Sequence, residues 1–244
     1  MAVTAAPCEL LDWDSDFFGF RIARVRAHDL DRDGAAEVDA WCEDREVSCL
    51  YLLLDGDDRD SAHLAAEHGY RLVDVRLTLR HELDGIPEAD PRVPIRDAEP
   101  SDIPALRRLA ARSHRDSRFY HDDGFPRERC DSLYATWVAE AVPDPGRWMF
   151  VREVAGEAVG YQVVTPHGGD GIARMDILAV DESHRREGIG RNLLFTGLRR
   201  PRSAGATAVE TATQERNRVS LETHLALGFT CTRREAWHHK WFER

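Results

Sequence analysis

Ile177-Leu-Ala-Val-Asp-Glu-Ser-His-Arg-Arg-Glu-Gly-Ile-Gly-Arg191 is the stretch on which the fold is decided. Its first four residues end an apolar strand that begins at Ile172. A polar turn follows, and Gly188 to Arg191 open an apolar helix. Glycine permits positive φ and close backbone approach. A helix start presents N–H groups without intrahelical partners at the positive end of the dipole, which makes a cradle for phosphate. Arg185, Arg186 and Arg191 add positive charge at that point. A lone Gly-x-Gly is weak evidence. A strand, Val-Asp, Arg-x-x-Gly-x-Gly and a helix, in that order, is much more specific.

Elsewhere the chain is acidic. Its 244 residues carry 33 Lys and Arg against 44 Asp and Glu, a formal net charge of −11. That balance argues against a general nucleic-acid binder, which needs a basic footprint. No apolar run approaches the roughly 20 residues that span a bilayer. Met1 to Asp16 has no basic start and carries Glu9, Asp12, Asp14 and Asp16, so no secretory leader and a cytoplasmic protein are expected. The five cysteines (Cys8, Cys42, Cys49, Cys130, Cys231) are scattered without a Cys-x-x-Cys pair and read as buried, reduced thiols. None adjoins the glycine turn.

Three prolines and a glycine between Leu83 and Pro94 mark a linker over 84–94. The chain accordingly divides into a small α/β unit over 1–83 and a larger domain over 95–244. In the first, Leu50 to Leu54 reads as a buried strand, and Ser61 caps a short helix to His68 that Gly69 stops. Tyr70 to Arg80 alternates, with Val75, Leu77 and Leu79 on one face and Asp74, Arg76, Thr78 and Arg80 on a polar one. In the second, Ile95 starts a short strand, and Ile103-Pro-Ala-Leu starts a helix. A helix over Arg127 to Val142 precedes a hairpin of Trp148–Glu153 and Ala158–Thr165 turning at Gly156. After the helix that Pro201 ends or kinks come a strand (Ala206 to Thr213), a helix (Asn217 to Leu227, stopped by Gly228) and closing strands from Phe229 to Phe242.

Arg185-Arg-Glu-Gly-Ile-Gly190 resembles the Q/R-x-x-G-x-G/A coenzyme A loop of the GNAT acetyltransferase superfamily. The element order from Ile95 to Arg244 is similar to that fold. The resemblance implies an α/β protein of the α+β, mixed-sheet kind, a GNAT domain preceded by a small N-terminal α/β domain. It implies acetyl-CoA as co-substrate, held by Arg185, Arg186, Gly188, Ile189, Gly190 and Arg191. The backbone of Leu178, Ala179 and Val180 would pair with the acetyl carbonyl and pantetheine arm. Thr213-Gln-Glu-Arg-Asn-Arg-Val-Ser-Leu-Glu-Thr-His224 with Leu227-Gly-Phe229 resembles the family's last motif. There Asn217 caps a coenzyme-binding helix, Ser220 takes the small-residue position, and His224 stands where the family carries Tyr. An imidazolium there could protonate the leaving thiolate, or the ring could simply pack while solvent supplies the proton.

Leu11-Asp-Trp-Asp-Ser-Asp-Phe-Phe-Gly19, Gly69-Tyr-Arg-Leu-Val-Asp74, Ser117-Arg-Phe119 and Ala212-Thr-Gln214 together resemble the dTDP-fucosamine acetyltransferase family. That resemblance implies an amino group on a nucleotide-linked sugar as acceptor, with Asp74 helping to deprotonate it through water. The expected partners are acetyl-CoA and a small-molecule amine, with no nucleic acid and no membrane; a homodimer is allowed but not required. Another small amine, aminoglycoside-like or from secondary metabolism, and a non-catalytic acyl-CoA-binding regulator remain as alternatives. No metal is expected: His63 and His68 are one residue too far apart to share a helix face, and His238 and His239 on a strand point apart. Arg199, Arg200 and Arg202 could meet the 3′-phosphate of the coenzyme, but read first as a solvated basic helix end.

Overall fold

The computed structural model describes residues 6–242. Residues 1–5, part of the stretch read above for a leader, and 243–244 lie outside the described residues. The first half of the chain runs β1 (Cys8–Leu10), α1 (Asp12–Phe18), β2 (Ile22–Val25), α2 (Arg32–Asp44), β3 (Cys49–Asp55), α3 (Arg59–Glu67) and β4 (Arg71–His81). The second half runs β5 (Arg96–Asp97), α4 (Ile103–Arg112), α5 (Arg127–Ala141), β6 (Trp148–Val154), β7 (Glu157–Thr165) and β8 (Ile172–Val180). It closes with α6 (Ile189–Ser203), β9 (Ala208–Gln214), α7 (Arg218–Ala226) and β10 (Thr230–Trp241).

The ten strands form one mixed sheet in the order β1-β2-β3-β10-β4-β9-β8-β7-β6-β5. The two halves of the chain interleave in it. β10 lies between β3 and β4, pairing antiparallel with both, and β4 lies between β10 and β9. The closing strands expected after Phe229 are therefore one strand of 12 residues, long enough to serve both neighbours. Segment 84–94 contains no helix or strand. It is tied to α6 by buried Asn192, whose Oδ1 accepts from the Asp90 N–H at 3.1 Å and whose Nδ2 donates to the Asp90 and Val93 carbonyls, each at 2.8 Å.

Helices cover both faces of the sheet, which changes how its strands must be read. β3 buries Leu50, Leu52 and Leu54 in one cluster and Cys49, Tyr51 and Leu53 in another. α4 and α5 pack Leu106, Leu109, Leu133 and Val138 with Phe18, Phe119, Phe125 and Tyr161. α6 packs Ile189, Leu193, Leu194 and Leu198 with Leu77, Leu79, Val164, Val209 and Phe229. β4 sits at the centre, so its polar face is not a wet one: Asp74 and Thr78 are buried.

Several local expectations need correction. Asp58, not Ser61, caps α3: its Oδ1 accepts from the Ser61 N–H at 3.0 Å, while the Ser61 hydroxyl accepts from the Leu30 N–H at 3.0 Å. Pro201 does not end α6 but lies inside it, and the helix continues to Ser203 before Gly205 at φ +92°. Cys231 is exposed, whereas the other four thiols are buried. The β6–β7 hairpin turns on Ala155 and Gly156, both at positive φ, as a two-residue turn requires. Among the described residues no helix is long and apolar enough to cross a membrane.

Candidate active site

β8 and β9 are parallel partners only over their first four residues, Ile172–Met175 against Ala208–Thr211. A bulge at Asp176 then re-aims β8, whose residues Ile177 to Val180 pair with β7 alone. Ala212 to Gln214 of β9 pair with β4 alone. The two strands therefore splay into a wedge. Along it the backbone N–H and C=O groups of residues 177–180 that face β9 lack a ladder partner among the described residues.

The turn read in the sequence as a phosphate cradle lies at the open end of this wedge. A short 3-10 turn, Glu182–His184, is capped by Asp181, whose Oδ1 accepts from the Ser183 N–H at 3.0 Å. Arg186 and Gly188 then take positive φ, +67° and +81°, and the start of α6 has no side-chain cap. None of the N–H groups of residues 186–191 donates to another described residue. Successive unspent N–H groups at a turn and helix start make an anion-binding concavity. Its position is fixed from beneath by Gly160 on β7, where any Cβ would stand 2.9 Å from Ile189 Cγ2. No Cβ is tolerated there if the helix start is to press on the sheet. A Cβ on Gly190 would meet only Val180 Cγ2, at 3.7 Å, so the space above Gly190 belongs to no other part of the protein.

Asn217 caps α7, its Oδ1 accepting from the Ser220 N–H at 3.1 Å. Two turns on from that cap, the His224 ring is 8 % exposed and packs edge-to-face on Phe229, 5.0 Å between centroids. Phe229 belongs to the same core as Ile189, Leu178 and Val180, which places α7 on the cradle side of the sheet. His224 Nδ1 lies 2.7 Å from the Ser220 carbonyl, which only a protonated Nδ1 can satisfy. Burial pushes this imidazole below the usual histidine range, against the opposing effect of that hydrogen bond. At neutral pH the ring is thus uncharged, and Nε2 is an acceptor.

Asp74 lies where β4 runs past the end of β9. Gln214 pairs with Arg76, and the Glu215 N–H reaches the Val75 carbonyl at 2.8 Å. Asp74 is 4 % exposed. Burial pushes its carboxyl up to about 6, against the pull of Arg216 and the Val75 N–H. Arg216 Nη2 sits 3.2 Å from Asp74 Oδ1 and donates to the Val73 carbonyl at 2.6 Å. Arg118, Ser117 and Tyr134 share this neighbourhood, on the side of the sheet covered by α4 and α5. His114, at φ +59°, stacks on Tyr134 at 4.5 Å and places Nε2 2.7 Å from the Tyr161 hydroxyl. Burial holds that imidazole down to about 4. Trp13, 38 % exposed, stacks on Phe17 and lies 5.7 Å from Trp137 on the same side.

The structure thus gathers the residues singled out in the sequence at one splay, with the cradle and His224 towards α6 and Asp74 towards α4 and α5. Sequence reasoning missed Arg216, Tyr134 and His114. Arg216 adjoins the Asn217 cap, but nothing local tells that it reaches a strand more than 140 positions earlier. Positive φ at a histidine is likewise invisible in sequence. Cys49, Asp122 and His239, all buried, offer three ligand atoms within 4.8 Å of one another. Asp122 is already bonded, to His239 Nδ1 at 2.6 Å, to Trp241 Nε1 at 2.9 Å and to the Gly124 N–H at 3.0 Å. His63 pairs instead with Glu67, Nε2 to Oε1 3.5 Å, on an exposed helix face.

A strand-to-helix turn with unspent N–H groups beside splayed parallel strands frames the site. The model of the acetyltransferase (GNAT) family matches residues 104–229, more than half of the chain, and the protein belongs to that family. It is an acetyltransferase. Over 225 residues it is 25 % identical to a dTDP-fucosamine acetyltransferase of Escherichia coli, covering 91 % of this chain and 93 % of that one. Over 197 residues it is 21 % identical to the spore coat polysaccharide biosynthesis protein SpsD of Bacillus subtilis, covering 80 % and 68 %. The fold is shared with a GCN5-related N-acetyltransferase of Sphaerobacter thermophilus at a TM-score of 0.67 and 19 % identity, over 96 % of this chain and 76 % of that one.

Proposed function

We propose that the protein transfers the acetyl group of acetyl-CoA directly to a primary amine carried by a nucleotide-linked sugar. The observation that carries this reading is the wedge between β8 and β9 with the unspent N–H groups of residues 186–191 at its mouth. Those groups, with Arg185, Arg186 and Arg191, suit the pyrophosphate of the coenzyme. The free backbone edge of Leu178, Ala179 and Val180 suits an amide-bearing arm and a thioester carbonyl, whose developing negative charge an N–H donor stabilises. The sugar-nucleotide acceptor is supported by the relatives, one named for dTDP-fucosamine and one for a polysaccharide. Such a reaction places the protein in the cytoplasm, with its two substrates.

On this reading Asp74, at about 6, is mostly ionised at neutral pH and takes a proton from the acceptor ammonium through water. The freed amine attacks the thioester carbonyl carbon. His224, neutral with Nε2 bare, takes the second nitrogen proton and returns it to sulfur as the C–S bond breaks. The products are an amide and a thiol, and Asp74 releases its proton to water. The test is a mass-spectrometric screen of amines with acetyl-CoA. Acetylation of dTDP- or UDP-linked amino sugars, with aminoglycosides and peptides untouched, is the expected result. Turnover of aminoglycosides alone, or of no amine at all, would refute it.

A further inference from the structure

Arg118 is a cation whose hydrogen-bonding capacity is unspent. Its guanidinium carbon stands 4.3 Å from the ring centroid of Trp237, 4.5 Å from Phe119 and 4.9 Å from Tyr51. Its Nε is buried without a partner, and neither a hydrogen bond nor an ion pair joins any of its nitrogens to another described residue. Arginines that hold the fold together behave differently. Arg96 forks onto Asp102 at 2.7 and 2.9 Å, and Arg234 pairs with Glu215 at 3.0 Å. Stacking on aromatic rings engages only the faces of a guanidinium. The N–H edge lies in its plane and is built for bidentate recognition of an oxyanion.

The position of that edge says which anion. Trp237, on which Arg118 stacks, is the cross-strand partner of Asp74, and the Arg118 charge draws the Asp74 and Asp14 carboxyls down while burial pushes both up. Asp74 already has its own cation in Arg216. Arg118 therefore adjoins the acceptor side of the splay. The unspent N–H groups of residues 186–191 lie elsewhere, at the start of α6. Building on the acceptor class proposed above, we infer that Arg118 binds the diphosphate of a sugar nucleotide, clamping it so that the sugar amine reaches Asp74. The rings fix the orientation of the guanidinium beforehand, so little side-chain entropy is lost when the anion docks.

The experiment is calorimetry of the full chain saturated with CoA, which keeps the coenzyme's phosphate cradle filled, titrated with dTDP, UDP and inorganic pyrophosphate. Binding of at least one nucleoside diphosphate is expected, with pyrophosphate competing for it. Arg118→Met should weaken it about 10- to 100-fold, the range for a charge-assisted pair. Arg118→Lys, which keeps charge but not the fork, should fall between. CoA affinity and thermal midpoint, measured on each variant, identify any that fails to fold; Arg118→Lys then carries the comparison. Equal diphosphate affinity in folded variants, or no binding by wild type, overturns the inference. Acceptor KM separates this from the proposed reaction. If dTDP binds through Arg118 but no nucleotide-linked amine is acetylated, the acceptor reading falls and the site stands. If such an amine is acetylated with the same KM in Arg118→Met, the site alone falls.

Discussion

Asp74→Asn removes one buried charge and keeps the shape of the side chain. The wild-type carboxyl sits at about 6 instead of 3.8 because burial disfavours its ionised form. A raised acid is bound more tightly by its proton in the folded state. Its contribution to stability is therefore intact below the unfolded value and is lost as pH rises through about 6. At roughly 1.4 kcal/mol per unit, the ionised carboxylate costs the fold about 3 kcal/mol once the pH is well above 7. Asparagine carries no such term, and other titrations cancel between the two proteins. Urea melts at pH 5 and pH 8 should show the variant gaining about 1.4 kcal/mol on wild type between those values. The same pair of proteins reports on chemistry. Wild-type kcat/KM should climb with pH through about 6, whereas the variant should be slower by about 10² to 10⁴ and lack that limb. A stability difference that does not change with pH refutes the raised carboxyl. Wild-type turnover in a folded variant removes Asp74 from the reaction even if the stability result holds.

Gly190→Val meets no protein atom closer than Val180, so it should fold and lose acetyl-CoA affinity; unchanged calorimetric affinity would sink the cradle assignment. Gly188→Val should lose stability as well, about 1 to 2 kcal/mol, because Gly188 holds φ +81°. His224→Ala should lower kcat by about 10² to 10⁴ with little change in acetyl-CoA binding, and His224→Tyr should restore part of it. Near-normal kcat in a well-folded His224→Phe would leave solvent as the proton source. Gly197→Val drives a Cβ to 2.5 Å from Gln162 Oε1 and 2.8 Å from Met175 Cε, so thermal melts should show a loss of about 1 to 3 kcal/mol.

The sequence by itself determined what short-range physics encodes. The strand ending at Val180, the turn and the helix opening at Gly188 depend on dihedral freedom, N–H groups and charge within about 15 residues. The Asn217 cap and the hairpin at Gly156 are equally local. Tertiary structure alone decided where β4 lies, because its pairing of Asp74 with Trp237 joins positions far apart in the chain. That placement buries a carboxylate whose strand pattern predicts solvent, since helices cover both faces of the sheet. The splay of β8 from β9 depends on a bulge at Asp176 and on which partner each strand keeps, and no residue pattern within either strand announces it. Arg216 beside Asp74, and Arg118 among Trp237, Phe119 and Tyr51, are likewise products of the sheet order. Local preference places a residue on an element. Only the order in which elements pair decides which side chains share low-dielectric space, and with it the charge state of Asp74 and the free edge of Arg118.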